Sequence, residues 1–193
     1  MLRRPDGYSG KDHQTIGSDI LSVLNALIMP ESVLGRRLLA KVKAVQPNDW
    51  YPIEFLLEVM EVVETRVGKT ALSSMGRRLF QLSHAARLKE TARAGADIIF
   101  GIDGMYHHAN QGKDIGGWKV VMFQPGRARL EKRTPHACVM EEGILAEALQ
   151  TIGVPSLVTQ SGCVKNGDPF CTYEISSALT DARWKGSHDY FGK

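Results

Sequence analysis

Residues 118–133 read Trp118-Lys119-Val120-Val121-Met122-Phe123-Gln124-Pro125-Gly126-Arg127-Ala128-Arg129-Leu130-Glu131-Lys132-Arg133. Apolar and aromatic residues dominate the first half, and Gln124-Pro125-Gly126 breaks the run. In the second half Ala128, Leu130 and Lys132 alternate with Arg127, Arg129 and Glu131. A period of two marks a strand with one buried face, so the stretch predicts a hairpin of strands 118–123 and 127–133. Toward the C-terminus, residues 140–152 have helical spacing and stop at Gly153. Two further strands, 157–163 and 171–176, flank Lys165-Asn166-Gly167-Asp168, a strong turn signal.

Toward the N-terminus the period lengthens to that of helices. Ser18 is the expected N-cap of a helix to residue 28, with Ile20, Leu21, Leu24, Leu27 and Ile28 on one side. Pro30 opens a second helix with a stripe of Val33, Leu34, Leu38, Val42 and Val45. After Pro47-Asn48-Asp49 a third carries Ile53, Leu56, Met60, Val63 and Val67, with Gly68 as its stop. A fourth carries Leu72, Met75, Leu79, Phe80 and Leu82. A fifth is expected over 88–108, with Ala94, Ile98, Ile102, Met105 and Tyr106 in register. Helices followed by hairpin, helix and hairpin define an α+β class: N-terminal helices packed on a four-stranded antiparallel sheet. The expected organisation is a flexible arm over 1–16, one domain over 17–177 (helical lead 17–86, core 87–177) and a peripheral tail over 178–193.

The chain has 193 residues, 43% hydrophobic and 23% charged, which excludes disordered and low-complexity classes for its bulk. Its net charge is +3 and neither half is markedly basic, so no nucleic-acid footprint is expected. No run of 18 apolar residues predicts a membrane span, and the first residues lack the apolar core of a secretory signal. With three cysteines, an odd number, the reading is a cytoplasmic protein whose thiols are free or on a metal.

Phosphate-cradling, dinucleotide-binding, nucleophile-elbow and zinc-protease motifs are all absent, and no acid–base or nucleophile–base pair has recognisable spacing. Glu141-Glu142 opens a helix, where carboxylates favour the dipole. Cys163 and Cys171 flank the second turn, where cross-strand Cβ atoms lie ~5 Å apart. Two thiolates so placed make half of a soft-metal site, with Cys138 as a third ligand and His136 nearby. The other reading is three reduced cysteines filling core volume. Tyr106-His107-His108 ends the fifth helix. One of its histidines could ligate haem iron or bind a ligand, or both could form the polar end of the helix.

Four stretches then carry a resemblance. They are Gly116-Gly117-Trp118-Lys119-Val120-Val121, Thr134-Pro135-His136-Ala137-Cys138, Glu141-Glu142-Gly143-Ile144-Leu145, and Cys163-Val164-Lys165-Asn166-Gly167-Asp168-Pro169-Phe170-Cys171-Thr172-Tyr173-Glu174-Ile175. Together they resemble the 4-vinyl reductase (V4R) domain. The resemblance implies a fold shared with haem nitric-oxide-binding domains and small TRAPP subunits, with an apolar pocket between helices and sheet. It implies a non-enzymatic ligand-sensing module signalling to a partner, with a small apolar or aromatic ligand. It also implies a zinc site in which Cys163 and Cys171 match two ligands and Cys138 a third, one residue out of register. Gln160 stands where the family has a glutamate. The haem-binding relatives carry a Tyr-x-Ser-x-Arg motif that this chain lacks, so haem is not expected.

The expected pocket residues are Tyr106, His107, Trp118, Val120 and Met122. A haem-based gas sensor, a tetrapyrrole-pathway protein and a ligand-free scaffold are the competing readings. The wide stripe of Leu38, Leu39, Val42 and Val45 suggests a homodimer through the first two helices.

Overall fold

The structure, a computed structural model, describes residues 12–186. The elements in order are β1 (Gln14–Ile16), α1 (Gly17–Ala26), α2 (Pro30–Lys43), β2 (Trp50–Pro52), α3 (Ile53–Ser83), α4 (Ala85–Thr91) and α5 (Gly95–Ala109). There follow β3 (Asn110–Gln111), β4 (Trp118–Gln124), β5 (Arg127–Lys132), α6 (Cys138–Thr151), β6 (Ser156–Gly162), β7 (Cys171–Ser177) and α7 (Ala182–Lys185). The class is α+β, with two antiparallel sheets.

The larger sheet has the order β4-β5-β7-β6, and it arises from the two hairpins. Alternation sets its faces. Ala128 and Leu130 on β5, with Cys171, Tyr173 and Ile175 on β7, are buried together with residues of α5 and α6. Arg129 faces solvent and donates through Nε to Glu174 Oε1 across the strands at 2.6 Å. Lys132 sits in register with the buried set and is itself only 1% exposed. A bulge between Val120 and Met122 shifts the register of β4. Phe123 therefore takes the buried position beyond the bulge, and Met122 is only half-buried.

The second core lies among α1, α2 and α3. Leu38, Leu39, Val42 and Val45 are buried there within one chain. The expected homodimer loses its basis, because the stripe thought to need a second copy is already covered. The two helical segments expected on either side of Gly68 meet there without a loop: Gly68 has φ +75° and breaks α3 at that point. The expected single helix over 88–108 is two, α4 and α5. Asp97 reaches back to accept from the backbone N–H groups of Arg93 and Ala94, at 2.8 and 2.9 Å, and so caps a new helix start. The most extensive helix contact joins α3 to α6. Gly76 and Gly143 allow it, since a Cβ on Gly76 would collide with the Met140 carbonyl and one on Gly143 with the Ser73 carbonyl.

Residues 1–11 of the expected arm lie outside the described residues, but Gln14–Ile16 form the centre of a small sheet, β2-β1-β3. Three-residue strands are too short to show a period in sequence. Part of the expected tail is also misplaced. Trp184 is fully buried, stacks on Phe123 at 5.3 Å between ring centroids, and donates from Nε1 to the Gln124 carbonyl at 2.7 Å. Residues 187–193 lie outside the described residues. No helix among the described residues is long and apolar enough to cross a membrane.

Candidate functional site: a cavity joined to a thiol cluster

A cavity of about 160 Å³ lies where the two cores meet, walled by α1, α3, α5 and α6. Its apolar wall includes Leu56, Met60, Ile98, Ile102 and Ile144, with Trp118 entering from β4. Tyr106 also lines it and is fixed by its hydroxyl, which donates to the Ile115 carbonyl at 2.8 Å. Of the other residues expected here, His107 faces away. Its side chain is 46% exposed and its Nε2 lies 3.5 Å from Asp103 Oδ1. Val120 packs against the sheet core, and neither it nor Met122 reaches the cavity. His108 is exposed.

Polar groups not expected in the pocket complete the wall: Asp19 on α1 and Asn110 after α5, which the sequence did not single out, and His136 before α6 and Glu141 on α6, which it placed beside the cysteines and at a helix start. Asn110 donates through Nδ2 to the Tyr106 carbonyl at 2.9 Å, while its Oδ1 is buried without a partner. His136 Nε2 is likewise buried without a partner. Burial holds Asp19 up at a pKa of about 7, and burial together with the Lys132 charge pushes His136 down to about 3, so its imidazole is neutral at pH 7. His84 also borders the cavity and is lowered by burial and by Arg87.

Glu141 links this cavity to the cysteines. It is not the solvated dipole partner expected at a helix start but a buried acid paired with Lys132. Lys132 Nζ also donates to the His136 carbonyl at 3.0 Å and lies over the Trp118 and Tyr173 rings, at 5.7 and 6.0 Å from their centroids. Tyr173 Oη donates to the Cys138 carbonyl at 3.1 Å. On the far side of Lys132 sit Cys138, Cys163 and Cys171, whose sulfurs all lie within 4.8 Å of one another. Cys138 Sγ is 3.2 Å from Cys171 Sγ and 4.0 Å from Cys163 Sγ. These spacings bracket the edge of a thiolate tetrahedron around zinc, about 3.8 Å for Zn–S bonds of about 2.3 Å. The hydrogen bond with Cys171 and the Lys132 ammonium hold the Cys138 thiol well below its ordinary pKa, and Cys171 is pushed up in turn.

β7 supplies Cys171 opposite Lys132, and the turn carrying Cys163 is held by Asp168, whose Oδ2 accepts from the Cys163 N–H at 2.8 Å. His136, expected near the cysteines, is not part of the cluster, and among the described residues the group holds only the three cysteines. Gln160 borders a neighbouring recess with Cys138 and Cys163, where its Nε2 donates to the Gly162 carbonyl at 2.9 Å.

The fold and the site together define a class: an α+β domain with a cavity between its helical layers and a thiol cluster behind one wall. Among solved structures, the chain is similar to an H-NOX protein from S. oneidensis in the Fe(II) ligation state, with a TM-score of 0.64 and 17% identity over 86% of this chain and 98% of that one. It is also similar to the Fe(II) unliganded H-NOX protein from K. algicida (TM-score 0.63, 11% identity, 84% and 96% covered) and to the H-NOX protein of T. Tengcongensis (0.56, 11%, 85% and 96%). At these identities the likeness is one of fold. No family model matches the chain, and no curated protein matches it.

The resemblance to the V4R domain is thereby corrected, since the structures that share the fold are H-NOX domains. The motif that suggested it consists of a tight turn, its Asp168 brace and a pair of cross-strand thiols. These are local features of a hairpin and do not specify one family.

The residues present do not fit haem. The cavity is about 160 Å³, close to the ~150 Å³ that holds benzene and below the ~300–1,000 Å³ of pockets for larger ligands. No Lys or Arg lines it to receive two propionates, while Asp19 and Glu141 do line it. The α5 histidines point outward.

Proposed function

We propose that this domain is a small-molecule-binding sensor module built on the fold of the H-NOX domains, acting through a partner. The observation that carries the reading is the apolar cavity between the helical layers, whose wall also includes the polar residues Asp19, Asn110, His136 and Glu141. An apolar cavity with a few fixed polar groups is the usual form of a ligand site. The ligand would contact Tyr106 and Trp118 as well as the apolar side chains of α3, α5 and α6. We further propose that Cys138, Cys163 and Cys171 hold one zinc ion, with the fourth position outside the protein's own thiols. Thiolate character at Cys138 and the spacing of the sulfurs support this.

A second reading is a haem-based gas sensor. The fold likeness favours it over a tetrapyrrole-pathway protein or a ligand-free scaffold. The chemistry of the cavity wall weighs against it.

Native mass spectrometry and calorimetry test the main reading. Toluene added to the purified protein is expected to bind at one site per chain and raise the melting temperature. Filling the cavity by Ile144→Trp is expected to abolish that binding, and toluene binding unchanged by the substitution would refute the assignment. Elemental analysis of protein purified without metal columns is expected to find about one zinc per chain, lost in Cys171→Ser. Less than about a tenth of an equivalent in the parent chain would exclude the metal site.

A further inference from the structure

We infer that the occupant of the cavity is a small primary amine, an apolar body of about benzene size whose protonated nitrogen pairs with Asp19. The inference deepens the ligand-binding reading and rests on it.

The wall decides the chemistry. Asp19 has no hydrogen bond or ion pair among the described residues, and no Lys or Arg lines the cavity to neutralise it. A half-buried carboxylate against an apolar wall and without a counter-charge is unfavourable, and a cation brought by a ligand reduces that penalty. Asn110 has already committed its donor to the Tyr106 carbonyl, so it brings no free donor to the wall. The unpaired Asp19 carboxylate on this wall therefore favours an occupant that supplies donors and positive charge rather than acceptors.

The candidate classes separate on this requirement. A carboxylate or phosphate would meet Asp19 and Glu141 and be repelled. A hydrocarbon would leave the carboxylate unmet, at the cost of an unsatisfied polar group. A phenol or alcohol brings one donor and no charge. An ammonium brings three donors and the charge, and the remaining volume matches one aromatic ring.

The raised pKa of Asp19, about 7, adds a pH signature. The titratable groups that border the cavity with it are His84, His136, Tyr106 and Glu141. Above pH 7 Asp19 is ionised and ready to pair; below it, binding a cation must first expel its proton, so affinity falls with pH.

Benzylamine is the probe, with benzyl alcohol and toluene as neutral counterparts, titrated calorimetrically into the full chain at pH 8 and pH 5.5. Benzylamine is expected to bind about thirtyfold more tightly than benzyl alcohol at pH 8, the low end of what truncating one partner of a buried charge pair costs. The margin is expected to shrink at pH 5.5, and Asp19→Asn is expected to erase it while toluene still binds. Equal affinity for amine and alcohol in the parent chain, or a preference for amine that survives Asp19→Asn, overturns the inference. If toluene and benzyl alcohol bind without a preference for the amine, the amine assignment falls and the ligand-binding reading stands. If none of the three binds, both fall.

Discussion

Two side chains carry most of the electrostatic tension in this molecule, Asp19 and Lys132. Asp19 is a carboxyl whose folded pKa, about 7, exceeds its unfolded value of 3.8 because burial disfavours its charge. The folded state therefore binds its proton more tightly than the unfolded state. That preference stabilises the fold fully below pH 3.8 and is lost as pH rises through 7. Asp19→Asn is expected to raise stability at pH 8 by about 2–4 kcal/mol and to remove this group's share of the decline between pH 4 and 8. Urea denaturation across that range measures it, and an unchanged pH profile in the variant would show that the carboxyl is solvated.

Lys132 is the opposite case, a buried charge that has its partner. Lys132→Met leaves Glu141 uncompensated and is expected to cost about 3–5 kcal/mol, whereas Lys132→Met with Glu141→Leu is expected to recover much of the loss. Equal losses in the single and double variants would contradict the pairing. Lys132 was legible in part from the sequence, since its place in the alternation with Ala128 and Leu130 puts it on the inward face. Its partner was not, because Glu141 at a helix start has a sufficient local explanation in the helix dipole. Asp19 and Asn110 give no sequence signal at all, as only tertiary packing turns a polar residue on an amphipathic helix toward a cavity.

Among the elements, the α3–α6 crossing positions the cavity. Both helices lend side chains to its wall, and the small residues Gly76 and Gly143 let their backbones meet. A methyl group at either position strikes a backbone carbonyl rather than a flexible side chain, so relief requires the helices to separate. Gly143→Ala is expected to destabilise by about 1–3 kcal/mol, the ordinary cost of overpacking, and to weaken toluene binding at the same time. Differential scanning calorimetry with and without toluene reads both effects, and a melting temperature equal to that of the parent would contradict the close approach. The strands of the larger sheet and α2, α3 and α6 were readable because each runs long enough to show a period or is bounded by Pro or Gly. The small sheet was not readable, because its pairing is long-range and its strands have two or three residues. The shift from Met122 to Phe123 escaped for a related reason, since one bulge inverts the face of every residue beyond it.

At the scale of the whole molecule, a likeness of fold and a difference of site coexist. The chain follows the architecture of H-NOX domains over most of its length at 11–17% identity. Fold does not carry function with it, because function lives in the residues that line a site. Here the volume of the cavity, the two acids on its wall and the outward histidines of α5 suit a ligand far smaller than a tetrapyrrole. The direct measurement is a titration of the purified protein with haemin, followed by absorbance before and after reduction. The account predicts, at every step including reduction and carbon monoxide addition, the same spectrum as a protein-free haemin control. A sharp Soret band saturating at one haem per chain and moving when carbon monoxide is added would contradict it.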